Sequence, residues 1–168
     1  MNFYDCPCGC IKPCESYSYA QYAIQANPPS RSDLPMFVLF QEGKRISLSD
    51  TKIFLEPGYL YLIDFIFLAT PETDSFMQIT PKINGVLKLL YSFFAPTGSA
   101  SRNTSASGSF TVPVMGDSAN VSFNLTYPDK VKNIDISGAV SVTMLHKIKN
   151  CSTVRPDVSI QKIGRAHV

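Results

Sequence analysis

Charge is scarce in this sequence, and its scarcity limits the function classes open to it. Only 17% of the 168 residues are Asp, Glu, Lys or Arg, against about 25% in an average soluble domain. The formal net charge is +2 and the basic residues are scattered, so no nucleic-acid partner is expected. Histidine occurs twice, and neither His146 nor His167 has a nucleophile or a second ligand at motif spacing. A Gly-x-Ser-x-Gly elbow, a phosphate loop, a dinucleotide fingerprint and a His-rich metal motif are all missing. No enzyme, no catalytic residue and no cofactor is therefore expected. The richest apolar run, Tyr59 to Ala69, contains Asp64 and falls far short of the ~18 residues a membrane span needs. The amino terminus, Met1-Asn-Phe-Tyr-Asp-Cys6, lacks a basic region followed by an apolar stretch, so no secretory signal is expected. No collagen triplet, heptad or other repeat occurs.

What is present is β-structure. Pro57 and Gly58 are turn residues, and after them Tyr59, Tyr61, Ile63, Phe65 and Phe67 share one parity while Leu60, Leu62, Ile66 and Leu68 share the other. Aromatic and β-branched residues dominate, which predicts a strand rather than a helix. A strand with one wet face alternates apolar and polar residues, and here only Asp64 interrupts. Both faces need cover, one from a second sheet and the other most simply from a second subunit. Low charge fits the same loss of surface to assembly.

Strand and turn signals continue along the chain. Tyr17 and Tyr19, then Tyr22 and Ile24 after a one-residue slip, predict a first strand with a bulge. Asn27 to Asp33 is a polar, proline-rich loop, and Met36 to Gln41 is a short apolar run. Ile46 to Leu48 and Ile53 to Leu55 are brief strands. Phe76 to Ile83 contains Pro81 and is expected to be an edge or bulged strand. Asn84-Gly85 predicts a type I′ hairpin turn, with Val86 to Phe94 as the return strand. Thr97 to Ser107 reads as an exposed loop, and Phe110 to Val114 as a strand. Val121, Phe123, Leu125 and Tyr127 form the inner side of the next strand, and Ile136 to Ile148 holds the last. Strands at intervals of roughly 8–12 residues indicate a sandwich or barrel.

The order of these pieces resembles the bacterial jelly-roll domains of the complement globular-head and tumour-necrosis-factor type, nearest to the carboxy-terminal domains of the BclA-type exosporium glycoproteins. The matching signals are Tyr19-Ala-Gln-Tyr22, Phe37 to Gly43, Pro57-Gly58-Tyr59, Ile83-Asn-Gly85 and Ser137-Gly-Ala-Val-Ser-Val142. The resemblance implies an all-β, antiparallel two-sheet jelly roll that assembles as a homotrimer. It places Tyr59, Tyr61, Ile63, Asp64, Phe65 and Phe67 at the trimer interface. It also implies a non-enzymatic structural or adhesive role at a bacterial spore or extracellular surface. A receptor-binding or carbohydrate-binding head, of a phage or a cell surface, is the alternative. The sequence departs from the BclA pattern in having no Gly-X-Y stalk before the domain and in its cysteine-rich leader.

The expected organisation is a cysteine-rich leader at residues 1–16, a jelly roll at 17–148, a tail at 149–162 and an artefact at 163–168. Ile163-Gly-Arg-Ala-His-Val168 matches the translation of a common sequencing adapter, so the natural carboxy terminus is expected to be missing. Cys6, Cys8, Cys10 and Cys14 form Cys-x-Cys-x-Cys-x-x-x-Cys, with Cys151 far downstream. Crosslinking or anchoring to surface proteins, a disulfide framework, a zinc site and an unstructured leader all stay open for them. The usual paired Cys-x-x-Cys knuckles are absent, and the odd cysteine count leaves one thiol over. Thr97, Ser99, Ser101, Arg102, Asn103 and Thr104 form a candidate loop for a carbohydrate or protein ligand, a plain solvated loop being the simpler reading. Asn103, Asn120, Asn124 and Asn150 each begin an Asn-x-Ser/Thr tripeptide, which chance explains in a bacterial protein. Asp64 sits on the assembly axis, binds a cation or meets a basic residue; its plain reading is a position near a wet strand end. His146 reads as a surface or interface histidine.

Overall fold

The computed structural model describes residues 17–128 and 132–148. Twelve strands run as β1 (Tyr19–Ala26), β2 (Ser32–Asp33), β3 (Phe37–Glu42), β4 (Ile46–Ser49), β5 (Lys52–Leu55), β6 (Tyr59–Ala69), β7 (Phe76–Ile83), β8 (Val86–Leu87), β9 (Phe93–Pro96), β10 (Thr104–Val114), β11 (Ala119–Thr126) and β12 (Ile136–Lys147). They form two antiparallel sheets. One has the order β10-β6-β12-β1-β3; the other has the order β4-β5-β11-β7-β8, with β2 beside β11 and β9 beside β7. Strands neighbouring in space are distant in sequence, as a jelly roll requires.

The long strand of the sequence reading is β6, and it is central in its sheet. All eleven of its residues are in register with β10, and β12 follows its other side from Ala69 to Tyr59 with one bulge at Leu145. Side chains alternate across a strand. Tyr59, Tyr61, Ile63, Phe65, Phe67 and Ala69 are buried between the sheets, and the intervening residues point outward. Opposite them, Val121, Phe123 and Leu125 of β11 are also buried, as their parity predicted. Phe65, Phe67 and Phe123 meet with ring centroids 5.3–5.4 Å apart. Close approach is also enforced on β12, where a Cβ on Gly138 would collide with the Ile66 carbonyl and the Phe67 ring.

Turn chemistry explains how the chain reverses. Asn84 and Gly85 both carry positive φ, 51° and 77°, as the predicted hairpin demands. The return strand is shorter than the sequence suggested: β8 ends at Leu87, a single 3₁₀ turn spans Leu89–Tyr91, and pairing resumes at Phe93. Pro81 accounts for the break. It lies inside the sheet, opposite Phe123 of β11, but in the gap between the β8 and β9 pairings, where no N–H is required. Its carbonyl still accepts the Lys88 N–H at 2.8 Å.

Two further expectations change. The first strand carries no slip of its own, since β1 pairs with β12 without interruption. The irregularity lies in its pairing with β3, between Gln21 and Tyr22. Tyr22 and Ile24 therefore share the core with Ala20, while Tyr19 faces outward. The Ser/Thr-rich stretch from Thr104 to Ser109 is strand, not loop, because the long β6 edge offers it a full set of backbone partners.

Candidate functional site

The outer face of the β10-β6-β12-β1-β3 sheet is the feature that needs explaining. The middle strand presents Leu60, Leu62, Asp64, Ile66 and Leu68 on it. Leu60 and Leu62 are half-buried, whereas Ile66 is 59% and Leu68 53% exposed. Strand register arranges this face in rows. One row runs Ser107, Ile66, Ala139, Ala23, Phe37; the next runs Ser109, Asp64, Ser141, Gln21, Phe40. Small residues flank the apolar ones, leaving a shallow hollow of about 240 Å³ between Gln21, Asp64, Ile66, Ala139 and Ser141. His146 is exposed near the end of this face, opposite Leu60.

The predicted interface set divides on this evidence. Tyr59, Tyr61, Ile63, Phe65 and Phe67 belong to the intramolecular core and are covered by their own chain. Of the six, Asp64 alone faces out. The surface that a partner could touch is the other parity, one residue along. Asp64 lies mid-strand rather than at a wet end, and among the described residues no ion pair reaches it.

Both flanks of the sheet are apolar as well. On β3, Phe37, Val38, Leu39 and Phe40 are each 49–55% exposed, so the strand is uncovered on both of its sides. Tyr19 packs near Phe40, with ring centroids 5.9 Å apart. On the β10 flank the chain between β8 and β9 stands out, with Leu89 72% and Leu90 96% exposed. Tyr91 stacks on Phe110 at 4.7 Å and fixes that segment beside β10. The sequence signal for both flanks was a continuous apolar run without alternation, which does not say which side is covered.

The candidate ligand loop is held mostly by its own polar groups. Arg102 donates from Nε to the Pro71 carbonyl at 3.0 Å and pairs with Glu72 at 3.2 Å. The Thr97 hydroxyl donates to the Glu72 carbonyl and accepts the Ser75 N–H, and the buried Thr104 hydroxyl donates to the Pro96 carbonyl. The Ser101 hydroxyl accepts the Asn103 N–H at 3.2 Å. Ser99 and Asn103 remain as exposed side chains at the loop surface.

A buried polar cluster on the opposite sheet was not foreseen. Asp33 accepts from Lys82 Nζ at 2.7 Å, Ser122 Oγ at 3.0 Å and Asn124 Nδ2 at 3.0 Å. Burial pushes its carboxyl up, but the Lys82, Asn124 and Ser122 hydrogen bonds and the Lys82 charge together bring it below the ordinary value of 3.8. Asn124 is buried with its amide committed to Asp33, which closes that tripeptide to modification in the folded chain. Among the described residues no three His, Cys, Asp or Glu side chains converge as metal ligands, and no helix is long and apolar enough to cross a membrane. Cys6, Cys8, Cys10, Cys14, Cys151, Asn150 and residues 163–168 lie outside the described residues.

No family model matches the sequence, and no curated protein matches it either. Solved structures do match. Vertex protein P5 of PRD1 is 13% identical, with 79% of this chain and 100% of that one covered and a TM-score of 0.50. Murine APRIL is 14% identical, covering 77% and 99% with a TM-score of 0.52. Eiger TNF from S. frugiperda is 7% identical, covering 82% and 98% with a TM-score of 0.52. Likeness at these identities concerns the backbone, and it shows that this chain has the antiparallel two-sheet jelly roll of the tumour-necrosis-factor type.

Proposed function

We propose that this chain is a non-enzymatic head domain that assembles as a homotrimer and serves a structural or adhesive role at a surface, the bacterial spore exosporium being the setting its sequence resembles. The observation that carries this reading is the open row Leu60, Leu62, Ile66 and Leu68 on the central strand of an otherwise closed sandwich. Monomeric soluble proteins seldom leave contiguous apolar patches beyond a few hundred Å². Burial of apolar area stabilises by about 25 cal/mol per Å², so a face of this kind supports association. In the trimer three copies of this face turn inward, and Asp64 comes with them. The cysteines of residues 1–16 would then lie on three chains and could attach the assembly covalently to neighbouring surface proteins.

Sedimentation equilibrium of the full chain under reducing conditions tests the assembly; three chain masses are expected, and a monomer at micromolar concentration would end the reading. Extraction of spore coats with and without reductant tests the setting. Reductant-sensitive, high-mass species containing this chain are expected there.

A second reading, a head that binds carbohydrate or protein, draws on the 97–104 loop. Arg102 and Thr97 hold that loop in one shape while Ser99 and Asn103 stay exposed. Glycan-array binding abolished by Ser99→Ala with Asn103→Ala would favour it.

A further inference from the structure

The homotrimer proposed above leaves open which surfaces close it, and the two apolar flanks of the β10-β6-β12-β1-β3 sheet supply an answer resting on that reading. We propose that residues 86–94 of one copy dock on the Phe37–Phe40 stretch of the next copy. On the β10 flank these residues form a projecting apolar knob: Leu90 is 96% exposed, and the turn carrying it is held out by the break at Pro81. Beside the knob lies a hollow of about 530 Å³, lined by Ile83, Leu87, Val112 and Pro113 among others. On the other flank β3 is a flat edge strand, uncovered on both sides. Knob and flat strand sit at opposite ends of a five-stranded sheet, roughly 19 Å apart at the usual strand spacing. One copy cannot cover its own β3 with its own knob.

Charge decides how copies meet. Residues 86–94 contain one charged side chain, Lys88, and β3 contains one, Glu42. Docking like on like would set Lys88 against Lys88 and Glu42 against Glu42. Docking unlike surfaces sets Lys88 against Glu42. Such a contact is head-to-tail, and when its rotation closes it makes a ring. The sheet face between the flanks, with Leu62, Ile66 and Leu68, then lines the inside of that ring, so flanks and face form one continuous interface.

Mixing two variants tests this contact. Leu90→Glu removes the knob and Phe40→Glu removes the strand surface; both side chains are at least half exposed, and unchanged far-UV circular dichroism checks that each variant folds. By native mass spectrometry each variant alone should fall from trimer to monomer. A one-to-one mixture should give a heterodimer and nothing larger, because only one intact knob meets one intact strand. Lys88→Glu should weaken the trimer at least tenfold, and adding Glu42→Lys should restore it. A wild-type trimer whose variants remain trimeric, or form homodimers alone, or give no heterodimer on mixing, overturns this contact and leaves the trimer standing. A monomeric wild-type chain removes the trimer and the contact together.

Discussion

Asp64 of β6 and Ser141 of β12 stand directly opposite each other at the middle of the open sheet face. Ser109 of β10 flanks Asp64 on the other side. The carboxylate therefore sits among small hydroxyl side chains, in a row bordered by Ile66 on the next. While the face is open, water solvates it. Assembly through this face removes that water, and a buried charge costs several kcal/mol unless it is paired. Asp64→Leu is accordingly expected to leave the trimer intact and tighten it at least tenfold, about 1.4 kcal/mol. Dilution on size-exclusion chromatography with light scattering reads this out. Dissociation of the Asp64→Leu trimer would show that the carboxylate makes a specific contact.

Ile66 and Leu68 carry the opposite expectation. Both are more than half exposed on the same face and contribute little to the core of their own subunit. Ile66→Lys or Leu68→Glu should dissociate the trimer by at least a hundredfold while leaving the far-UV spectrum unchanged. Phe67→Ala, on the neighbouring parity, should behave differently. Phe67 is fully buried against Phe65 and Phe123, and its truncation should cost the subunit itself about 3–5 kcal/mol. Chemical denaturation of the variants separates the two effects.

The contrast between Ile66 and Phe67 also marks how far the sequence could be read. Strand identity, the Asn84-Gly85 turn and the inner parity of β11 were legible because each has a local physical signature. Val121, Phe123 and Leu125 alternate with polar neighbours, so their face announces itself. The run Tyr59 to Ala69 is apolar at both parities, and periodicity cannot say which set meets the second sheet. The aromatic parity was assigned to the interface, and the packing of Phe65 and Phe67 on Phe123 places it in the core instead. Phe37 to Phe40 has the same difficulty, since its exposure follows from its edge position in a sheet assembled from distant segments. Thr104 to Ser109 has composition that favours a loop, and long-range pairing with β6 overrode it. The Asp33 cluster joins residues 33, 82, 122 and 124, a separation that no local pattern records.

That cluster predicts an acid sensitivity. The Asp33 carboxyl titrates below its ordinary value in the folded chain. A depressed carboxyl contributes stability that is present above the unfolded-state value of 3.8 and is lost as pH falls through the folded one. Asp33→Asn should remove this part of the acid dependence. It should also cost about 1–3 kcal/mol at neutral pH, because the partly buried Lys82 ammonium loses its partner. Urea midpoints between pH 3 and 7, measured on both proteins, check the slope and the offset.

Two core tyrosines predict the alkaline limb. Tyr22 and Tyr61 are both fully buried. The Tyr61 hydroxyl donates to the Glu56 carbonyl at 2.9 Å, whereas the Tyr22 hydroxyl has no partner among the described residues. Removing an unsatisfied hydroxyl relieves its desolvation, and removing a bonded one strands its acceptor. Tyr22→Phe should therefore be neutral or stabilising by about 1 kcal/mol, and Tyr61→Phe destabilising by about as much. Burial raises both phenols from 10.0 to about 12, the nearby Glu56 charge adding to the effect at Tyr61. The unfolded chain then loses these protons first, so stability is complete below pH 10 and declines as pH rises toward 12. Tyr22→Phe should flatten that decline in urea midpoints taken at pH 9, 10 and 11, and an unchanged slope would place the alkaline loss elsewhere.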